Sequence, residues 1–172
     1  LRIKEFSKAL DNYNKVLEID PKRIRTKFNI SWCYFALLNL ELGFENYEFR
    51  KEKIIPQGRH KEVLDKFHSI EWNGQDLNNK SILIICEQGY GDNINFFRYL
   101  FWLNEKFNVK IIFYAHKKLE HLFKGTSFQI VSNLETIKEI DYHQHLLSLP
   151  GIYYKEEKGF QKNINYINTN EA

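Results

Sequence analysis

The sequence predicts a mixed architecture of class α + α/β, an array of α-helical hairpins followed by a small lobe built on parallel strands. Three observations point there. Apolar residues recur at helical spacing through residues 5–51. From Ser81 the pattern changes to short, continuous apolar runs. Those runs then alternate with helical segments, as they do when helices cover a parallel sheet. The expected division is helical repeats over 1–51, a linker over 52–79 and an α/β lobe over 80–172.

In the first segment, Phe6, Leu10, Tyr13 and Leu17 recur at steps of three or four, and Ala9 and Val16 widen the stripe. Asp20-Pro21 ends this helix, because the residue before a proline avoids the α region. A second helix is expected over about 23–38, carrying Ile24, Phe28, Trp32, Phe35 and Ala36, and a third over about 40–51, carrying Phe44, Tyr47 and Phe49. This layout is that of stacked antiparallel hairpins, with the aromatic stripe, Trp32 included, as packing between helices. A peptide groove on the concave face is the functional alternative. Residues 54–79 hold Pro56, Gly58, Gly74 and many charges. They read as a linker with one short helix near 60–67 and with Trp72 docked on a neighbouring core.

Ser81 to Cys86 reads as a strand buried on both faces. Glu87 to Asp92 is a turn, and a helix over 92–107 starts with Asp92 as its N-cap. A second strand is expected over 109–115, a helix over 117–123 and a third strand over 128–131. A short helix over 134–140 and a fourth extended segment over 142–149 follow, the latter stopped by Pro150-Gly151. This order implies parallel strands joined by right-handed crossovers. Beyond Gly151 the chain reads as a polar loop anchored by Tyr153, Tyr154 and Tyr166.

Composition narrows the function classes. Apolar residues make up 43% of 172, and the net charge is only +3 with basic residues scattered among acidic ones, which argues against a nucleic-acid partner. No apolar run approaches the ~20 residues of a membrane span. The N-terminus is charged and lacks a signal-peptide pattern, so the cytoplasm is the expected compartment. Cys33 and Cys86 have apolar neighbours and no C-x-x-C spacing, and are expected to be buried free thiols. The chain opens on Leu1 and is expected to be a piece of a longer protein.

The informative segment is Glu87-Gln88-Gly89-Tyr90-Gly91-Asp92, between a buried strand and a helix. Ligands of open α/β sheets bind at the carboxyl ends of strands, and Gly89 and Gly91 permit close backbone approach. The plain counterpart is a tight turn with an Asp cap, at roughly even odds. Two nucleotide readings fail. A dinucleotide fingerprint needs a third glycine where Ile94 stands and an acid where Tyr114-Ala115-His116 stands; a phosphate loop needs Gly-Lys-Ser/Thr. Arg98, among Phe96, Phe97, Tyr99 and Phe101, is either a snorkelling surface residue or a contact for a substrate anion. His143 and His145 alternate on one strand face, half of a metal site without further ligands nearby, so no metal is expected. His143 and Ser148 are placed to reach a cleft at the strand's end, and no hydrolase triad is visible.

The run from Trp72 to Tyr99, with W-N-G, a strand, then E-Q-G-Y-G-D and F-R-Y, resembles a bacterial family of tetratricopeptide-repeat proteins carrying a glycosyltransferase-like domain. Asp141-Tyr142-His143 and Leu147-Ser148-Leu149-Pro150 continue the likeness, and Phe44-Glu45-Asn46-Tyr47-Glu48-Phe49-Arg50 resembles the repeat helix that precedes the domain. The resemblance covers nearly the whole chain. It implies tetratricopeptide-type hairpins followed by the N-terminal, Rossmann-like lobe of a two-lobed GT-B fold, similar to heptosyltransferases. It also implies Asp92 as catalytic base, with Glu87, Gln88, Gly89, Gly91, Asn95, Arg98 and His143 as substrate contacts. No tightly bound cofactor is implied; a nucleotide-sugar donor is expected for the full-length protein, with a glycan or protein acceptor and a protein or peptide on the repeats. The donor-binding second lobe is expected beyond Ile167, so this segment alone is expected to be inactive. The rival reading is a non-catalytic interaction scaffold whose α/β lobe is vestigial.

Overall fold

The structure, a computed structural model, describes residues 2–54, 58–161 and 166–167. The chain divides into two compact units, Leu1–Gly58 and Arg59–Ala172.

The first unit is helical: α1 (Arg2–Ile19), α2 (Ile24–Ala36), α3 (Leu40–Tyr47), a 3₁₀ turn over Glu48–Arg50 and α4 (Lys51–Ile54). Helix α2 packs against both α1 and α3. The Asn39 side chain caps α3 by accepting from the Leu42 N–H at 3.3 Å. Close approach of α2 and α3 depends on Gly43, where a Cβ would stand 2.5 Å from Phe35 Cδ1. Phe28, Trp32, Phe35, Phe44 and Tyr47 form one edge-to-face cluster. Only Tyr47 of these is buried. Trp32 is 53% exposed, which corrects its assignment to the helix–helix core: it packs on the cluster from outside. Arg50 closes the cluster's other side, its guanidinium 4.6 Å from the Tyr47 ring centroid and paired with Glu48 at 2.8 Å.

The second unit is a five-stranded, all-parallel sheet of order β1-β5-β2-β3-β4. Its strands are β1 (Ile70–Glu71), β2 (Ser81–Ile85), β3 (Lys110–Tyr114), β4 (Gln129–Val131) and β5 (Tyr142–His145). The alternation along each strand feeds two cores. Ile82, Ile84, Ile111 and Phe113 face α6 (Tyr90–Phe96) and α7 (Tyr99–Lys106), where Phe97 stacks on Phe123 with centroids 4.1 Å apart. Leu83, Ile85, Ile112 and Tyr114 form the other core with Val63 of α5 (Gly58–Lys66). Burial on both faces explains why β2 and β3 are apolar without alternation. Cys33 and Cys86 are both buried, free thiols.

Several expectations change here. The segment read as a linker holds the short helix expected there, as α5, but adds the edge strand β1. Trp72, fully buried, donates its backbone N–H to the His143 carbonyl at 2.9 Å and its indole N–H to the Gln75 carbonyl at 2.7 Å. The helix expected over 92–107 is broken into α6 and α7. At the break, the Asn95 carbonyl accepts from Arg98 Nε at 2.7 Å and the Ile94 carbonyl accepts from the Tyr166 hydroxyl, in place of the next helical N–H groups. Residues 134–140 hold one turn, Ile137 N–H to the Leu134 carbonyl at 3.0 Å, rather than a helix. The extended segment expected over 142–149 ends at His145, and the stretch after Gly151, read as a polar loop, begins as helix: Pro150 occupies the first turn of α8 (Leu149–Glu157), where its missing N–H costs nothing. The helix expected over 117–123 is present with the same bounds, wound as a 3₁₀ helix.

Candidate functional site

The sheet reverses its winding between β2 and β5. From β2 the chain steps outward to β3 and β4, then returns to the other side of β2 as β5. Such a switch point opens a crevice at the carboxyl ends of the two strands. Two segments meet there: Cys86–Gly89, which leads into α6, and Leu146–Ser148, a 3₁₀ turn after β5.

Glu87 ties these segments together. It is buried, and its Oε1 accepts the Leu147 N–H at 3.2 Å. The buried Asn93 side chain reaches back from α6, donating to the Glu87 carbonyl at 2.9 Å and to the Gly89 carbonyl at 2.8 Å. The strained residue of the turn is Gln88, in the left-handed region at φ 57°, and not either glycine. Gly89 has ordinary extended angles (φ −79°, ψ 162°). Its lack of a side chain serves Asp92, whose Oδ2 would lie 3.3 Å from a Cβ there. A Cβ on Gly91 would meet open space.

Asp92 is the third residue of α6 and not its N-cap, which is Gly89. Its Oδ2 accepts the Gly89 N–H at 3.2 Å, the returning half of a capping box. The carboxylate sits half-buried in the first turn of α6, at the carboxyl edge of the sheet. Asn95 lies further along α6 and Arg98 at the break before α7, and they bond to each other, Arg98 Nη2 to Asn95 Oδ1 at 2.7 Å. The structure thus gathers Glu87 to Asp92 into one turn and leaves Asn95 and Arg98 at the far end of α6.

Beneath the turn lies a cluster that sequence reasoning reached only in part. The register Leu83↔His143 and Ile85↔His145 puts both histidines on the α5 face of the sheet. His143 is buried, and its Nδ1 is 2.8 Å from Ser69 Oγ. His145 Nε2 lies 2.5 Å from Nδ1 of His60 on α5, and its own Nδ1 is 3.8 Å from Glu87 Oε1. An imidazole–imidazole hydrogen bond needs one donor and one acceptor. The carboxylate favours a proton on His145 Nδ1, which leaves Nε2 to accept from His60 Nδ1–H. His145 and His60 thus join β5 to α5 by a buried hydrogen bond, while the Glu87 carboxylate, at 3.8 Å from His145 Nδ1, is beyond hydrogen-bond reach of that nitrogen. The ring nitrogens address one another and Ser69, not a common centre. Among the described residues no group of three or more His, Cys, Asp or Glu is arranged to hold a metal. His60 carried no sequence signal, because its partner lies far away in the chain.

At the rim, burial first and then a hydrogen bond to Glu62 push the Tyr114 hydroxyl up to about 12. Burial, opposed by the Arg59 charge, pushes the Cys86 thiol up to about 11, so it is not a nucleophile at neutral pH. A cavity of about 490 Å³ at the opposite edge is lined by Lys80, Ser81, Lys110 and Asp141 at or next to the strand starts. There the Ser81 N–H and hydroxyl, both 2.8 Å from Asp141 Oδ2, hold the Asp141 carboxyl below its usual range and tie β5 to β2. No helix among the described residues is long and apolar enough to cross a membrane. No family model, curated protein or solved structure matches this chain.

Proposed function

We propose that the second unit is the acceptor-side, Rossmann-like lobe of a GT-B-type glycosyltransferase, and that the first unit is a tetratricopeptide-type module that binds a protein or peptide. The carrying observation is the switch point between β2 and β5, with the Glu87–Asp92 turn on its rim. Asp92 is then the general base that takes a proton from the acceptor hydroxyl, its carboxylate held by the Gly89 N–H. Glu87 ties the turn to the segment after β5 by accepting the Leu147 N–H. The sugar nucleotide binds mainly to a second lobe, so the segment alone transfers no sugar. The exposed Trp32 on its aromatic cluster is the natural peptide contact of the first unit.

The interaction-scaffold reading draws on one observation, that the Asp92 carboxylate already serves as a capping partner of Gly89. One pair of measurements separates the two. Incubated with a panel of sugar nucleotides, the chain alone should give neither transfer nor donor hydrolysis by mass spectrometry. In a version extended by a second lobe, Asp92→Asn keeps a side-chain oxygen to accept the Gly89 N–H and loses only the carboxylate's attraction to the helix start, so it should stay within about 1 kcal/mol of the parent's stability. Its transfer rate should fall by ~10²–10⁴. Unchanged transfer with unchanged melting would reduce Asp92 to a helix cap and overturn the enzyme reading.

A further inference from the structure

One cation at the carboxyl edge is left over by the fold. Arg59 opens α5 and is half-buried, its guanidinium 5.2 Å from the Tyr114 ring centroid. Its Nε is buried and has no hydrogen-bond partner among the described residues, nor does Arg59 form an ion pair among them. An arginine donor shut away from water without an acceptor is costly, by about 1–3 kcal/mol or more for a charged group. The carboxylates nearest along the chain fold are engaged elsewhere. Glu62 accepts from the Tyr114 hydroxyl, and Glu87 accepts from Leu147 N–H beside His145.

A second group stands beside it. His116 follows β3, and its ring meets Tyr90 of α6 edge-on with centroids 5.2 Å apart. Burial first and the Arg59 charge second hold His116 below its ordinary value, against a hydrogen bond with the Gln88 backbone. Tyr90 is 46% exposed, so part of its side chain is open to solvent beside His116.

We propose that Arg59 and His116 form an oxyanion subsite at the carboxyl ends of β2 and β3, which takes the phosphate or carboxylate of a ligand whose ring lies on Tyr90. A guanidinium presents several N–H donors in a fixed fork that suits such oxygens, and with Nε buried it is the terminal nitrogens that would meet the anion. An exposed tyrosine ring is a surface for the apolar face of a sugar or for a base. The bound class is therefore a small ring-bearing oxyanion, such as a sugar phosphate or an acidic sugar. The inference stands on these residues and holds whether or not the lobe transfers sugar.

The test follows the His116 imidazole by ¹H–¹³C NMR of the intact chain, at constant ionic strength. Inorganic phosphate and acetate are titrated separately, with chloride as control. A saturable shift with phosphate, with acetate or with both supports the subsite, and the stronger of the two identifies the anion source. The bound anion should also raise the pH midpoint of His116, since it adds a negative partner to the charged form. Arg59→Gln should weaken anion binding by roughly tenfold or more and raise the midpoint in the absence of anion, because a neighbouring positive charge is lost. Arg59→Lys, which keeps the charge without the fork, should fall between. Non-saturable shifts that match chloride in the unmodified chain overturn the proposal, whatever the variants do. Equal affinity in a folded Arg59→Gln or Arg59→Lys overturns the role of Arg59.

Discussion

The two units handle aromatic side chains in opposite ways. In the second, Phe97 meets Phe113, Phe123 and Phe128, and all four rings are buried between the sheet and its helices. In the first, Phe28, Trp32, Phe35, Phe44 and Tyr47 make more ring contacts with one another, yet only Tyr47 is buried. The difference is layers. A sheet with helices on both faces closes over its core, whereas the helices of the first unit leave one side of the cluster open. Ring contact alone does not measure how much apolar area leaves water, and it is the removed area that stabilises.

That contrast fixes the largest expected effect. Phe97→Ala removes a fully buried ring and should cost about 3–5 kcal/mol of the second unit's stability, with the cavity adding to the lost transfer energy. Trp32→Ala removes a ring that is half in water, and should cost the first unit about 2 kcal/mol, close to half the value for a buried aromatic. Hydrogen exchange read by mass spectrometry on peptides from each unit separates the two. Equal losses would mean that the cluster of the first unit is as closed as that of the second.

The same contrast shows what the sequence makes legible. The helical stripe from Phe28 to Tyr47 names the residues that cluster, because spacing along a helix decides which side chains share a face. It does not reveal that Trp32 lies outside, since that depends on which face a third helix covers. The β2 and β3 segments were readable because a doubly buried strand has no other way to be written. The break at Arg98 and the extension through Pro150 were not, because each turns on tertiary partners: Tyr166 at the Ile94 carbonyl, and a helix start where a stop seemed due. At the candidate site, the Glu87–Asp92 turn announced itself through its glycines. Arg59 and His60 did not, because each finds its neighbours on strands far along the chain.

A smaller effect tests how tightly the open cluster is built. Gly43→Ala would place a methyl group 2.5 Å from Phe35 Cδ1, so the ring or the α2–α3 spacing must shift. Overpacking of this kind costs about 1–3 kcal/mol, while replacing a helical glycine by alanine returns about 1 kcal/mol. The net expectation is a loss of about 1 kcal/mol, read as faster exchange in α2 and α3. A stabilised variant would mean that Phe35 moves out freely and that the exposed side of the cluster is loosely held.

The smallest effect concerns charge, with which the first unit closes the side of its cluster that the second unit would close with a sheet. Glu48 lies between Arg50 at 2.8 Å and Lys51 at 2.5 Å, and Arg50 in turn covers the Tyr47 ring. Burial alone would raise the Glu48 carboxyl, but the two cations and their hydrogen bonds outweigh it and hold it below its ordinary value of 4.5. A carboxyl that is more acidic folded than unfolded binds fewer protons in the native state. Its contribution is therefore fully present above about pH 4.5 and is lost as pH falls through the lower, folded value. Because the Glu48 side chain is 39% exposed, solvent screens the pair and the contribution should stay below about 1 kcal/mol. Glu48→Gln should therefore lower the first unit's stability slightly at pH 7, and the gap to the unmodified chain should close as the pH drops below 4.5. The Phe97→Ala loss, in contrast, comes from a fully buried ring and should persist through the same range. A Glu48→Gln gap that persists unchanged at low pH would show that Arg50 covers Tyr47 by packing alone, and that the carboxylate plays no part in closing the cluster.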